Sequence, residues 1–183
     1  MKQTLQLVIK PTTELTTNEY SEMIDLCSRA FEEDYEIYMQ SFQNSIHVLG
    51  RLDDQLVTHA MWVPRLLQLA DGTPLQTAYV EGVATEEAYR NRGYAAAIMQ
   101  RVADEIQGFD IAGLAPFSVA YYSRLGWERW QGSLLIRKDG KLLPTPPDED
   151  GDEECLMILR LSKTPDLDLD SAISIEWREG EVW

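Results

Sequence analysis

Tyr79-Val80-Glu81-Gly82-Val83-Ala84 leads into Arg90-Asn91-Arg92-Gly93-Tyr94-Ala95, and this passage decides the fold. Residues 75–84 read as a strand in which a glutamate and a glycine interrupt apolar residues. Gly82 marks a bulge or a close approach by a ligand. A partly buried Glu81 carboxylate would hold its proton more tightly and could serve as a general base. On the solvent side of an edge strand it would be a surface charge only. From Gly93 onward Ala95, Ile98, Met99, Val102 and Ile106 form one apolar stripe, which predicts a helix. Successive backbone N–H groups at a helix start can cradle a pyrophosphate, helped by the helix dipole. Gly93 lets the backbone come close, and Arg90 and Arg92 add positive charge. A plain helix cap with solvated arginines is the competing reading. Residues 109–114 read as the next strand, so the passage is a strand–helix–strand unit.

Outward toward the N-terminus, residues 4–10 alternate as a strand. Thr17 or Asn18 can cap a helix on which Tyr20, Met23, Ile24, Cys27 and Phe31 recur. A short helix is expected around 35–42. Residues 45–51 and 55–63 flank Asp53-Asp54 as a hairpin. Pro64 bends or ends the second strand or marks an edge, and Asp71-Gly72 makes the next turn. Toward the C-terminus, a short helix carries Val119, Tyr122 and Leu125, and residues 127–137 read as a strand. Residues 141–154, with three prolines and many acids, read as a loop. Residues 155–161 and 173–177 read as extended. The order is mixed α/β, with antiparallel hairpins first.

The chain has 183 residues, enough for one domain over 1–183 with a sizeable core. The first residues carry no long apolar run, and nothing approaches a membrane span, so a cytoplasmic protein is expected. Cys27 and Cys155 have no metal-like spacing and read as thiols rather than a disulfide. His47 and His59 fall in strands and read as structural, and no metal site is expected. The formal net charge of −15 repels nucleic acid and anionic membranes and attracts cations. Acids gather at 32–36, 148–154 and 166–170, and at Glu176, Glu179 and Glu181. Arginines gather elsewhere, at Arg90, Arg92, Arg101, Arg124 and Arg129. One chain can thus hold a site for cations and a separate site for phosphates.

A third signal is Tyr122-Ser123-Arg124-Leu125-Gly126-Trp127, a tyrosine just before a glycine turn. Its hydroxyl could protonate a leaving thiolate; alone it would read as a core tyrosine. The pattern Arg90-x-x-Gly93-x-Ala95 followed by Tyr122-x-x-x-Gly126-Trp127 resembles the acetyl-CoA signature of the GNAT superfamily. A narrower resemblance is to the aminoglycoside 2′-N-acetyltransferases. It rests on the stretch 79–84, Gly126-Trp127-x-x-Trp130-x-Gly132, the acidic turn 147–151, and the closing Trp177-Arg178-Glu179-Gly180-Glu181-Val182-Trp183. Ala30-Phe31-Glu32-x-Asp34 resembles that family's early substrate-contacting segment. Met39 and Ala115-Pro116-Phe117 depart from it.

The resemblance implies an α/β (α+β) GNAT fold. Its central sheet would be mixed and mostly antiparallel, flanked by helices, with a splayed V at the acetyl-CoA site. It implies Glu81 as a general base acting through water and Tyr122 as a general acid. Val83, Ala84, Arg90, Arg92, Gly93, Tyr94, Ala95 and Tyr122 would bind acetyl-CoA. Asp34, Glu81, Gly82, Asp150, Glu181 and the carboxylate of Trp183 would bind the amine substrate. It implies a homodimer, a small cationic amine as partner, and a role in antibiotic resistance. Another polyamine, an amino sugar or a peptide amine is an alternative acceptor. A weak acyl-CoA-binding or acidic interaction module is a further alternative, against which Glu81 and Tyr122 together argue.

Overall fold

Thr16 accepts from the backbone of Glu19 while the Glu19 carboxylate accepts from the backbone of Thr16. This capping box starts the first helix one residue before the position expected from the sequence. The computed structural model describes residues 4–147, 154–180 and 182–183. These fall into two compact units, Met1–Val63 with Val80–Glu105, and Pro64–Tyr79 with Ile106–Trp183.

The first unit holds β1 (Gln6–Pro11), α1 (Thr17–Phe31), α2 (Tyr35–Met39), β2 (Ile46–Leu52), most of β3 (Gln55–Leu69), the end of β4 (Pro74–Thr85) and α3 (Tyr94–Glu105). β1 pairs antiparallel with β2, from Gln6 opposite Arg51 to Pro11 opposite Ile46. β2 and β3 form the expected hairpin across Asp53-Asp54. The apolar stripe of α1 buries Met23, Leu26 and Cys27 with Tyr35, Met39, Phe42, Leu49, Met61 and Ala84 in one core. α3 lies against β2 and buries Ile98, Met99 and Val102, as its periodicity predicts.

The second unit holds the start of β4 and the end of β3. With them are β5 (Ile111–Leu114), α4 (Val119–Arg124), β6 (Glu128–Arg129), β7 (Leu134–Lys138), β8 (Lys141–Pro144), β9 (Met157–Arg160) and β10 (Ile173–Glu176). The strand order is β6-β9-β5-β4-β3-β10-β7-β8. β4–β5 and β10–β7 are parallel, and β10–β3, β5–β9, β6–β9 and β7–β8 are antiparallel, which makes the mixed sheet flanked by helices that was expected. The core gathers Leu67, Tyr79, Ile111, Trp130, Leu156, Ile158, Ile173, Ile175 and Trp183.

Three expectations need correction. Pro64 does not end β3, which runs on to Leu69. The β2 ladder on β3 stops at Trp62 and the β10 ladder begins at Leu67. Pro64 lies between them, where a missing N–H costs neither ladder a bond. Residues 127–137 are two strands, because the backbone N–H groups of Gln131 and Gly132 both turn to the carbonyl of Leu169. Residues 141–144 are a strand, closed onto β7 by Asp139-Gly140, both with positive φ. No helix among the described residues is long and apolar enough to cross a membrane.

Candidate functional site

β4 bends at Gly82, whose φ is +59°. The bend follows Glu81, which is half-buried, and precedes half-buried Val83 and buried Ala84. A Cβ on residue 82 would come 2.6 Å from the Tyr35 hydroxyl oxygen and 3.2 Å from His59 Cε1. Only glycine fits both the space and the left-handed backbone. The interruption read from the sequence is therefore a packed kink in the strand.

The kink is buttressed from behind. His59 on β3 lies 2.7 Å through Nδ1 from the Gly82 carbonyl oxygen. Its Nε2 lies 3.0 Å from Nδ1 of His47 on β2. His47 Nε2 in turn meets the hydroxyls of Thr12 at 2.9 Å and Ser45 at 3.3 Å. Burial pushes both imidazoles below their ordinary value, His47 to about 4 and His59 to about 3, and for His59 the neighbouring His47 adds to the fall. Cys27 Sγ lies 3.5 Å from His59 Nδ1 and 3.9 Å from the Gly82 carbonyl, and burial pushes its thiol up, so it stays protonated. Thr58 Oγ1 donates to the Ala84 carbonyl at 3.0 Å. The two histidines read as structural thus hold the back of the most unusual residue on β4. Their diagonal placement, His47 opposite Met61 and Leu49 opposite His59, depends on the register shift at Gly50/Arg51, which brings both rings to one face of the hairpin.

The phosphate-type loop is different in kind. Arg90 and Arg92 are exposed, and Gly93 has φ +84° with nothing within 4 Å of where a Cβ would stand. Tyr94 and Ala95 open α3, whose first turn holds no acid, and the first bond back to the loop is Ala97 N–H to Gly93 at 3.0 Å. The N–H groups ahead of it form the donor set of a helix start. The Arg92 guanidinium stacks 5.1 Å over the Tyr89 ring, and Arg90 Nε donates to the Thr85 carbonyl at 3.3 Å. These residues fit a phosphate-bearing group.

Of the expected acceptor-side residues, Asp34 is exposed and caps α2, accepting from Glu36 N–H at 3.2 Å. The next residue is Tyr35, the one whose hydroxyl abuts Gly82. Met39 is buried in the core of the first unit. Asp150 and Glu181 lie outside the described residues.

In the second unit Tyr122 on α4 is buried among aromatic rings. Tyr121 is at 5.1 Å, Phe117 at 5.4 Å and Trp127 at 6.0 Å between centroids. Burial raises its phenol above the ordinary range, with Tyr121 adding to it. The phenol is fully protonated at neutral pH and can donate. The Trp183 indole is buried and donates to Thr145 Oγ1 at 2.8 Å. Arg65, which the sequence did not single out, ties the same segment down. Its Nε donates to Glu176 Oε1 at 2.5 Å, Nη2 to the Glu176 carbonyl at 2.7 Å, and Nη1 to the Val182 carbonyl at 3.0 Å. Among the described residues no cluster of His, Cys, Asp and Glu is placed to hold a metal ion.

The pattern of the family described as "Acetyltransferase (GNAT) domain" matches residues 12–130. A protein of Mycolicibacterium fortuitum named aminoglycoside 2′-N-acetyltransferase is 34% identical over 134 residues, 70% of this chain and 66% of its own length. The chain therefore spans just under two thirds of that relative. The solved structure of the GNAT family N-acetyltransferase YhbS from Escherichia coli, in complex with CoA, superposes with a TM-score of 0.63 at 18% identity, covering 96% of this chain and 92% of that one. A probable N-acyltransferase from Enterococcus faecalis superposes with a TM-score of 0.58 at 24% identity, covering 68% of this chain and 32% of that one.

Proposed function

Because the chain belongs to the GNAT acetyltransferase family, we propose that it transfers acetyl from acetyl-CoA to an amine of a polycationic small molecule, namely the 2′-amine of an aminoglycoside. The observation that carries the chemistry is the packed kink at Gly82, with a carboxylate on one side and a backbone N–H on the other. The acceptor class is supported by the named relative at 34% identity and by the net charge of −15, which attracts cations.

Bound acetyl-CoA supplies a thioester whose carbonyl is open to attack by a free amine. The N–H groups of the Gly93 turn, with Arg90, Arg92, Tyr94 and Ala95, would hold its pyrophosphate. Val83 and Ala84 supply backbone groups further along it. A substrate ammonium cannot attack until it loses a proton, and Glu81 takes that proton through a water. The N–H of Val83 would present to the acyl oxygen and stabilise charge developing there. Tyr122 keeps its proton at neutral pH and gives it to the departing sulfur. Asp34, Asp150, Glu181 and the Trp183 carboxylate hold the other ammonium and hydroxyl groups. The same reading makes the protein a cytoplasmic homodimer; sedimentation as a monomer at micromolar concentration would reject the dimer.

The test is thiol release from acetyl-CoA against aminoglycosides, other polyamines, amino sugars and basic peptides. Turnover confined to aminoglycosides with a free 2′-amine is the expected result, and product NMR locates the acetyl group. Turnover with another amine class alone rejects the aminoglycoside assignment. Glu81→Gln is expected to lower kcat about 100-fold or more, and Tyr122→Phe about 10- to 100-fold. Wild-type turnover in both variants sinks the mechanism.

A further inference from the structure

The peptide unit joining Gly82 to Val83 has two ends, and one of them is already held. Among the described residues no peptide bond is cis. The carbonyl of Gly82 and the N–H of Val83 therefore point in opposite directions from one plane. A carbonyl only accepts, so the 2.7 Å contact puts the proton of neutral His59 on Nδ1. His59 Nε2 is then bare and accepts from His47 Nδ1–H, 3.0 Å away. His47 Nε2 is bare in turn and accepts from the hydroxyl of Thr12 or Ser45. One backbone carbonyl thus sets both tautomers and the direction of every bond in the chain. The depressed affinity of both rings for a second proton keeps the chain neutral at neutral pH.

We infer that His59, backed by His47, is a positioning residue that turns and polarises the Gly82–Val83 peptide so that the Val83 N–H presents to the acyl oxygen. The inference rests on the reading that Val83 N–H faces the thioester. Glycine at φ +59° permits this peptide orientation but does not enforce it, because glycine adopts either hand at little cost. His59 makes the choice. A donor at the carbonyl also strengthens the N–H at the other end of the same amide, since bonds in a chain polarise one another. Cys27 offers that carbonyl only a weak second donor at 3.9 Å.

Nitrogen-15 NMR of the wild-type chain at neutral pH reads the tautomers directly and needs no variant. Both rings are expected to be protonated at Nδ1 and bare at Nε2. A His59 ring protonated at Nε2 overturns the inference. The second readout is the Val83 amide proton with acetyl-CoA compared with CoA. A downfield shift is expected in the wild type, lost in His59→Leu and kept in His59→Gln, whose amide still donates. In turnover, His59→Leu is expected to lower kcat about 10- to 100-fold. The KM for acetyl-CoA should move less than about twofold, and His59→Gln should recover most of the rate. A Val83 shift and kcat untouched in His59→Leu overturn the inference. A chain that acetylates no amine yet shows the tautomers and the His59-dependent shift sinks the proposed acceptor and supports the positioning role.

Discussion

Gly82 and Gly93 both sit in the passage that decides the fold, and both have positive φ, +59° and +84°. They do so for opposite reasons. A side chain at 82 would strike Tyr35 and His59, whereas one at 93 would meet nothing within 4 Å. Behind Gly82 lie neutral, buried groups, His47, His59 and Cys27. Around Gly93 stand exposed arginines. On the proposed function, the difference follows from what each would bind. An N–H that stabilises developing charge works best when fixed beforehand in a dry setting. A pyrophosphate needs approach, several donors and positive charge, which an open helix start provides.

The largest effect that would sharpen this contrast is expected from Gly82→Ala. The left-handed backbone costs about 1–2 kcal/mol with a Cβ, and overpacking adds about 1–3 kcal/mol. Urea unfolding should show the summed loss, and acetyl transfer should fall more than about 100-fold because the Val83 N–H moves with the kink. Adding Tyr35→Phe removes the nearest clashing atom and should return part of the stability but not the activity. Wild-type stability in Gly82→Ala would break the claim that crowding demands this glycine.

Acid should weaken the closed region next. The folded values of about 4 for His47 and about 3 for His59 lie below the ordinary 6.5. Between those limits the unfolded chain binds more protons than the folded one. Stability is therefore full above pH 6.5 and declines as pH falls toward the folded values. The slope reaches about 1.4 kcal/mol per unit for each ring, so from pH 6.5 to 5 the loss is on the order of 2–4 kcal/mol. The groups facing the rings, Thr12, Ser45, Cys27 and the Gly82 carbonyl, carry no charge that would offset it. Unfolding midpoints across this range are the measurement, and His59→Gln should flatten the curve. A flat wild-type curve would mean that the pair charges without cost.

The two regions also differ in how far the sequence disclosed them. The Gly93 turn was legible because its information is local: a basic loop, a glycine and an apolar stripe in one run. The kink at Gly82 was legible as an interruption of β4. Its support was not, because His59 reaches a carbonyl 23 positions away and no periodicity records such a contact. The same holds for Arg65, which holds Glu176 and Val182 across more than 110 positions. Strand β8 was missed for a local reason, since the prolines and acids of the stretch 144–154, at and beyond its end, outweighed the Asp139-Gly140 turn, which was itself a hairpin signal.

The smallest effect tests the open side. Gly93→Ala carries the cost of positive φ, about 1 kcal/mol, with no clash to add to it. The loop is exposed and can relax by changing the backbone, at the price of one N–H that no longer points at the phosphates. Such a loss weakens binding equally in the ground and transition states. The KM for acetyl-CoA should therefore rise about 5- to 10-fold with kcat nearly unchanged. Stability in urea should fall by no more than the strain. If kcat falls as far as KM rises, the turn takes part in the transfer step, and the division between a fixed acyl side and an open phosphate side does not hold.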